Sequence, residues 1–422
     1  MQRKVNWCTP HAKGNDTNAE NNVSRKLESN YFSLHSPMTQ ALIPLSLYIH
    51  VPFCMAKCTY CDFYSIVGRE HSIPAYLKSL LHEIELKQQE LDLSKYYIDT
   101  IFFGGGTPNL LAPHQLEELM RALLRICNLG EEMEIGMEIN PGEASLENLK
   151  AYKGLGINRI SIGMQSFQSK LLTFMSRIHT VDKCFSTFDD VRTAGFNNVS
   201  ADLIFAVPGQ TREEWVADLE RLVTMQPEHI STYSLTVEEG TALHRWVDAG
   251  HVKMLEETVD TGMYDWGRDF LEKSGYPNYE VSNHAKPGFE CRHNLNYWTG
   301  VEYLGFGPAA HSYFGNNRTW NLRNLDTYME GIKVTGSGAT DSEIITPSMA
   351  RNEMILTRLR LTRGLNLEEF SKIHNENLLH TKNNMLKKWA DKIVISDSHL
   401  KIARTGWALT DEISSDLMSL PS

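Results

Sequence analysis

The chain has 422 residues, 41% of them hydrophobic and 22% charged, with a formal net charge of -11 at pH 7. This is ordinary globular composition, long enough for one large domain and a smaller one, and its acidic balance argues against a nucleic-acid partner, which selects a basic face. No run approaches the roughly 18 consecutive apolar residues of a membrane span, and seven cysteines, three of them inside one eight-residue stretch, do not form the even framework of a small secreted disulfide protein.

Residues 1–43 are polar and Asn-rich, lack the apolar core of a secretory signal, and read as a disordered tail. Asp16, Glu20 and Glu28 count against an organellar transit peptide, so the expected location is the cytoplasm. From residue 45 a repeat begins. β-branched and aromatic runs predict strands over 45–53, 99–106, 133–141, 158–167, 199–208 and 229–237. Amphipathic stretches between them predict helices near 74–91, 113–127, 145–153, 182–194 and 212–225. In the first helix Ile73, Leu77, Leu80, Leu81 and Ile84 share one face. Strands that alternate with helices pair in parallel through right-handed crossovers. Six such units fit either an open doubly wound sheet or a barrel. Residues with chemistry stand where successive strands end: Cys54, the 104–108 run, Glu138, Gln165 and Asp202. Five strands feeding one rim favours a barrel over a sheet with a single switch point. The expected fold is α/β, a partial (β/α)6 barrel of the triosephosphate-isomerase kind over 44–275.

Beyond residue 240 the pattern changes. A helix is expected over 256–274, then a β-rich extension over 276–345, in which 276–314 reads as short strands and turns. Over 346–422 a small helical, winged-helix-like tail is expected, with helices at 348–362, 366–374 and 380–390, two strands within 393–409 and a short final helix. The segment Gly305–Ala310 matches G-x-G-x-x-A with Asp326 some twenty residues later, but the next residues, HSYFGNNRTWN, cannot make a phosphate-binding helix, so it reads as a turn.

The segment YIHVPFCMAKCTYCDF (48–63) holds a C-x3-C-x2-C array. Thiolates ligate iron–sulfur clusters, and three on one loop satisfy three corners of a cubane while leaving the fourth iron open to an outside ligand. Two plainer readings stand beside this one: a zinc ion on the three cysteines with His50 as fourth ligand, and three incidental thiols. Zinc sites usually draw on two separated ligand pairs, and His50 lies inside an expected strand. The run Gly104-Gly105-Gly106-Thr107-Pro108 lets backbone approach a ligand closely. It lacks the Lys-Ser/Thr of a P-loop, which rejects triphosphate binding, and its plain alternative is a tight turn. Glu138 can accept from an ammonium or a ribose hydroxyl, or is a solvated strand end. Gln165, Asp202 and Arg177 are individually weak signals.

Taken together these motifs resemble the radical S-adenosylmethionine family, and within it the branch that holds oxygen-independent coproporphyrinogen III oxidase and related haem chaperones. The resemblance runs from about Leu45 to the C-terminus and is carried by YIHVPFC, GGGTP, EINP, SIGMQSF, DLIFAVPGQT and HNLNYW. It implies a 4Fe-4S cluster on Cys54, Cys58 and Cys61, and S-adenosylmethionine held by Tyr48, Gly105 and Glu138, with Tyr60, the aromatic before the last cysteine, in the same set. Gly106, Thr107, Gln165, Arg177 and Asp202 fall at positions that bind a second S-adenosylmethionine in the oxidase. The oxidase carries a fourth cysteine two residues after the third, where this chain has Phe63, and HNLNYW (293–298) is typical of the chaperone branch. The resemblance therefore implies haem as cargo, an acceptor haemoprotein, an electron donor if radical chemistry occurs, and room for a homodimer, with coproporphyrinogen decarboxylation as the second reading. Candidates for haem contact are His293, Cys291, Tyr297 and His311. Each reads equally well as a packed core residue, so no axial ligand is singled out.

Overall fold

The computed structural model describes residues 42–418, and the expected N-terminal tail lies outside that range apart from its last two positions. Six strands, β1 (Ile43–Val51), β2 (Tyr96–Gly105), β3 (Asn128–Ile139), β4 (Arg159–Gln165), β5 (Val199–Phe205) and β6 (His229–Ser234), pair in parallel in chain order. A doubly wound sheet must reverse its strand order, so this unbroken succession selects the barrel topology. Helices α1 (Ile73–Glu90), α2 (Pro113–Leu123), α3 (Leu146–Gly154), α4 (Val181–Thr193) and α5 (Arg212–Met225) make the crossovers. The last is set by a capping box, in which Thr211 accepts from Glu214 N while the Glu214 carboxylate accepts from Thr211 N.

The period-2 alternation of each strand sorts its side chains. Leu45, Leu47, Ile49 and Val51 of β1 are wholly buried against the helices, as are Ile101 and Phe103 of β2, Met137 of β3 and Ile160 and Ile162 of β4. The intervening residues face the lumen: Ser46, Tyr48 and His50; Thr100 and Gly104; Glu134 and Glu138; Arg159 and Gln165; Ser200 and Asp202; His229 and Tyr233. Apolar burial outside thus holds a polar interior in register.

After helix α6 (Glu257–Lys273) a short strand β7 (Asn283–Ala285) pairs antiparallel with β6. On the other side β8 (Tyr303–Phe306) joins β1 in parallel, and β9 (His311–Phe314), β10 (Asn317–Asn321) and β11 (Ala339–Ile344) extend the sheet antiparallel. β7 and β11 end the eleven-stranded order, so among the described residues the barrel is partial.

Two expectations within residues 276–314 change. The 276–314 stretch is not all strand and turn, because Arg292–Trp298, here α7, is helical. Its first two backbone N–H groups, from Arg292 and His293, donate to the Glu134 carboxylate at 3.2 and 3.0 Å. That tertiary partner supplies what two asparagines and two aromatics lack in helix propensity. The Gly305–Ala310 turn begins later than expected: Gly305 and Phe306 finish β8, and the chain turns at Gly307, whose φ is +95°. Asp326 opens helix α8 (Leu325–Thr335) and pairs with Arg69 at 2.7 Å.

The C-terminal region has its own core of Met354, Ile355, Leu359, Leu365, Phe370, Leu400 and Ile413. Helices Pro347–Arg358, Leu367–His374 and Thr410–Leu417 surround a three-stranded sheet in which His399–Ile402 lies between Leu365–Asn366 and Ile393–Ser396. The helix expected over 380–390 is broken into Leu378–Thr381 and Asn383–Lys388. No helix among the described residues is long and apolar enough to cross a membrane.

Candidate functional site

Past β1 the chain leaves the barrel at Pro52. A two-residue strand, Phe53–Cys54, then pairs in parallel with Ile66–Val67 and ties down the loop that carries the three cysteines. The glycine run at the end of β2 passes directly beneath. Gly106 N donates to Val51 O at 2.8 Å and Thr107 N to Phe53 O at 2.7 Å. A methyl at position 106 would stand 2.6 Å from Phe53 O and 3.0 Å from Cys54 Sγ. A methyl at 105, where φ is +111°, would stand 2.6 Å from the His50 ring. Neither position admits a Cβ, so the run serves a close approach to the cysteine loop rather than a mere tight turn.

Cys54, Cys58 and Cys61 are free, half-buried thiols, and each sulfur has its own donor. Thr107 Oγ1 lies 3.6 Å from Cys54, Arg177 Nη1 3.5 Å from Cys58 and Lys57 Nζ 4.0 Å from Cys61. Burial pushes the Cys54 thiol up, with the Thr107 hydrogen bond opposing it, and burial likewise raises Cys61 against the pull of the Lys57 ammonium. His50 does not fit a fourth zinc ligand. Its Nε2 bonds Tyr64 O at 2.8 Å, its Nδ1 bonds Tyr48 Oη at 3.1 Å, and burial lowers its pKa to about 4. Among the described residues no three His, Cys, Asp or Glu side chains converge on one ion-sized point. Three separated sulfurs, each with a separate donor, fit a cluster that offers a different iron to each.

Below the loop the lumen gathers the second group. Glu138 Oε2 accepts from Gly105 N at 3.2 Å, and a methyl at Gly104 would meet both Glu138 Oε2 and the Tyr48 ring at 3.1 Å. This is a cradle that a Cβ would fill, with a carboxylate and a phenol facing it. Burial, and then the Asp202 carboxylate, push Glu138 up to about 7. Asp202 accepts from Ser161 Oγ at 2.8 Å and Ser200 Oγ at 3.1 Å, and burial raises it too. Both carboxylates lie deep, yet neither is sealed from solvent, as an open lumen requires. Tyr60 packs on the Leu171, Leu172 and Met175 cluster, its phenol raised first by burial and then by nearby Cys58.

Gln165 closes β4 with φ of +65°, after a register shift that starts at Gly163. Its amide folds back to within 2.7 Å of where a Gly163 methyl would be. Arg177 reaches in from the loop after the Ser169–Phe174 helix and donates through Nη2 to Asn140 Oδ1 at 2.6 Å and Gly163 O at 2.9 Å. Its buried Nε has no partner. The structure therefore brings Tyr48, Gly105, Glu138, Gln165 and Asp202 around the lumen, and Gly106, Thr107 and Arg177 around the cysteine loop. Sequence reasoning left out Asn140, inside EINP, and Lys57, between the first two cysteines, although their place in the motifs is the signal that could have found them.

The haem-contact candidates separate. His293 is buried, with Nδ1 on Thr100 Oγ1 at 2.7 Å, Nε2 on Tyr297 Oη at 3.0 Å, and its ring stacked on Phe102. Cys291 is buried against Glu134 Oε1 at 3.6 Å. Tyr297 sits edge-on between His293 and Tyr303. His311 alone of the four is exposed, beside Trp320 with ring centroids 6.0 Å apart.

The model of the Radical SAM superfamily matches residues 48–222. Heme chaperone HemW of Bacillus subtilis is 34% identical over 371 residues, covering 87% of this chain and 97% of the relative. Heme chaperone HemW of Lactococcus lactis is 35% identical over 327 residues, 78% of this chain and 84% of the relative. The zebrafish mitochondrial protein named radical S-adenosyl methionine domain-containing protein 1 is 31% identical over 384 residues, 88% and 86% of the two chains. Among solved structures, coproporphyrinogen III oxidase (HemN) of Escherichia coli superposes with a TM-score of 0.78 at 23% identity, over 90% of this chain and 91% of that one, which is a likeness of fold. With three sulfurs over a parallel barrel mouth and near full-length relatives above 30% identity, the chain belongs to the Radical SAM superfamily and, within it, to the family of heme chaperone HemW.

Proposed function

We propose that the protein is a haem chaperone, which binds haem and passes it to an acceptor haemoprotein while carrying a 4Fe-4S cluster on Cys54, Cys58 and Cys61 with exchangeable S-adenosylmethionine. The observation that carries this reading is the end of the cysteine loop. It holds three thiols with sulfur donors, yet Phe63, 64% exposed, stands where the oxidase has its fourth cysteine. The names of the near full-length relatives support the same choice.

A cluster held by three thiolates supplies an open iron for the amino and carboxylate groups of S-adenosylmethionine. The chain's own part is to receive that molecule: Tyr48 and Glu138 wall the lumen, and Gly104 and Gly105 leave it room. With a pKa near 7, Glu138 can shed its proton and, as a carboxylate, accept a hydrogen bond from a bound ammonium. Arg177 and Thr107 are turned to Cys58 and Cys54, which supports one cofactor molecule rather than two, with Tyr60, Gly106, Gln165 and Asp202 lining that single site. For haem, exposed His311 is the accessible candidate. Cytoplasmic location, a homodimer and an electron donor belong to the same reading.

The test is to quantify iron, sulfide and haem on anaerobically purified protein, then track transfer from the haem-loaded form to an apo-haemoprotein by its absorption. Uptake and transfer are expected. Conversion of coproporphyrinogen would replace this reading with the oxidase, and zinc without iron or sulfide would remove both.

A further inference from the structure

Asn140 has a settled orientation. Its Oδ1 faces Arg177 Nη2 at 2.6 Å, and a guanidinium only donates, so that atom must be the carbonyl oxygen. Its Nδ2 then donates to Thr107 Oγ1 at 3.0 Å and to Glu143 Oε2 at 3.2 Å. Because the Thr107 hydroxyl already accepts from Asn140, its own proton is free for another partner, and Cys54 Sγ lies 3.6 Å away. The second arm of the same guanidinium, Nη1, points at Cys58 Sγ at 3.5 Å, while the Nη2 contact to Gly163 O at 2.9 Å fixes the plane.

We propose that Arg177, Asn140 and Thr107 form a directional donor chain that brings one guanidinium to bear on two cluster thiolates, Cys58 directly and Cys54 through the amide and the hydroxyl, and thereby sets the reduction potential of the cluster. Asn140 is its positioning residue: it touches no sulfur but decides which way the Thr107 hydroxyl points. Hydrogen bonds to cluster sulfurs and nearby positive charge favour the electron-rich reduced form and raise the potential. Donors in line polarise one another, and the part-buried setting leaves the charge less screened than at the surface. Lys57, exposed and 4.0 Å from Cys61, acts on the third sulfur from the solvent side and is screened more.

This inference rests on the cluster reading, and one experiment separates the two. Iron and sulfide are measured on wild type, Asn140→Ala, Thr107→Val and Thr107→Ser, and each midpoint potential is read by mediated titration with detection by electron paramagnetic resonance. Asn140→Ala and Thr107→Val are expected to shift the midpoint to more negative values, with Thr107→Ser restoring it. Resistance of the cluster to a chelator is expected to fall on the order of 10- to 100-fold in Asn140→Ala. Thr107→Val keeps the side-chain shape and isolates the last link. If it loses the cluster and Thr107→Ser recovers both cluster and midpoint, the donor role stands; a loss that serine does not recover overturns it. Full iron and sulfide with a wild-type midpoint in Thr107→Val also overturns it. Wild-type protein without iron and sulfide overturns instead the cluster reading underneath.

Discussion

The two ends of the barrel use the same residue types to opposite effect. At the end where the strands begin, α7 plugs the lumen. His293, Thr100, Ser46, Asn296 and Asp99 form a continuous hydrogen-bonded chain, with Asn296 Nδ2 donating to Ser46 Oγ at 2.9 Å and to Asp99 Oδ2 at 2.8 Å. Glu134 takes two backbone N–H groups and faces Arg159 at 3.8 Å, both side chains almost wholly buried. At the end where the strands finish, the thiols are half-exposed, the glycines sit in left-handed or crowded positions, and Arg177 Nε has no partner. A cysteine buried against Glu134, like His293 with both nitrogens engaged, stabilises the fold, whereas cysteines half-exposed at a barrel's C-terminal rim are set for a ligand.

Three measurements sharpen or break this contrast. The largest effect is expected at the open end. Cys58→Ser should abolish the brown absorption of the anaerobically reconstituted protein while leaving its unfolding transition in place, and full cluster retention would end the assignment. The next is at the plugged end. His293→Ala removes the hydrogen bonds to Thr100 and Tyr297, of which Thr100 keeps Ser46, and leaves a cavity, so urea unfolding should show a loss of about 2–4 kcal/mol. If the plug is purely structural, haem affinity at a temperature where the variant is folded should stay at the wild-type value; a tenfold loss would mean that the bottom of the barrel meets the cargo.

The smallest effect concerns pH. The carboxyl of Glu138 is raised from 4.5 to about 7 by burial and Asp202. A folded pKa above the unfolded one means that the folded state holds the extra proton in between. The stability this provides is complete below about 4.5 and is lost as pH rises through 7. His293 has the opposite sign, since burial lowers it from 6.5 to about 3 and its stability is lost as pH falls through that window. Glu138→Gln in the cluster-free protein should therefore flatten the decline between pH 4.5 and 7 while leaving the acid limb unchanged, and an unaltered decline would show that Glu138 ionises freely.

Much of the barrel was legible because its signals are local. The helix expected over 212–225 is Arg212–Met225, and the strand expected over 199–208 is Val199–Phe205. Parallel strands covered by helices carry apolar runs, and amphipathic periods mark the crossovers. The cysteine loop was equally plain, since its chemistry is written in adjacent residues. Illegible from the residues were α7, held by Glu134 across 158 positions, and the left-handed Gln165, which a register shift between strands imposes.

The order of residues alone therefore determined the six βα units, the three-sulfur loop and the glycine run beneath it, because propensity, period and spacing act over a few positions. Only the tertiary structure decided which polar groups are consumed and which stay available: that His50 and His293 spend both nitrogens, and that Asn140 joins Arg177 to Thr107. Those outcomes depend on partners brought together by strand register and barrel curvature. A hydrogen bond is settled by where both of its atoms end up, which no single stretch of chain specifies.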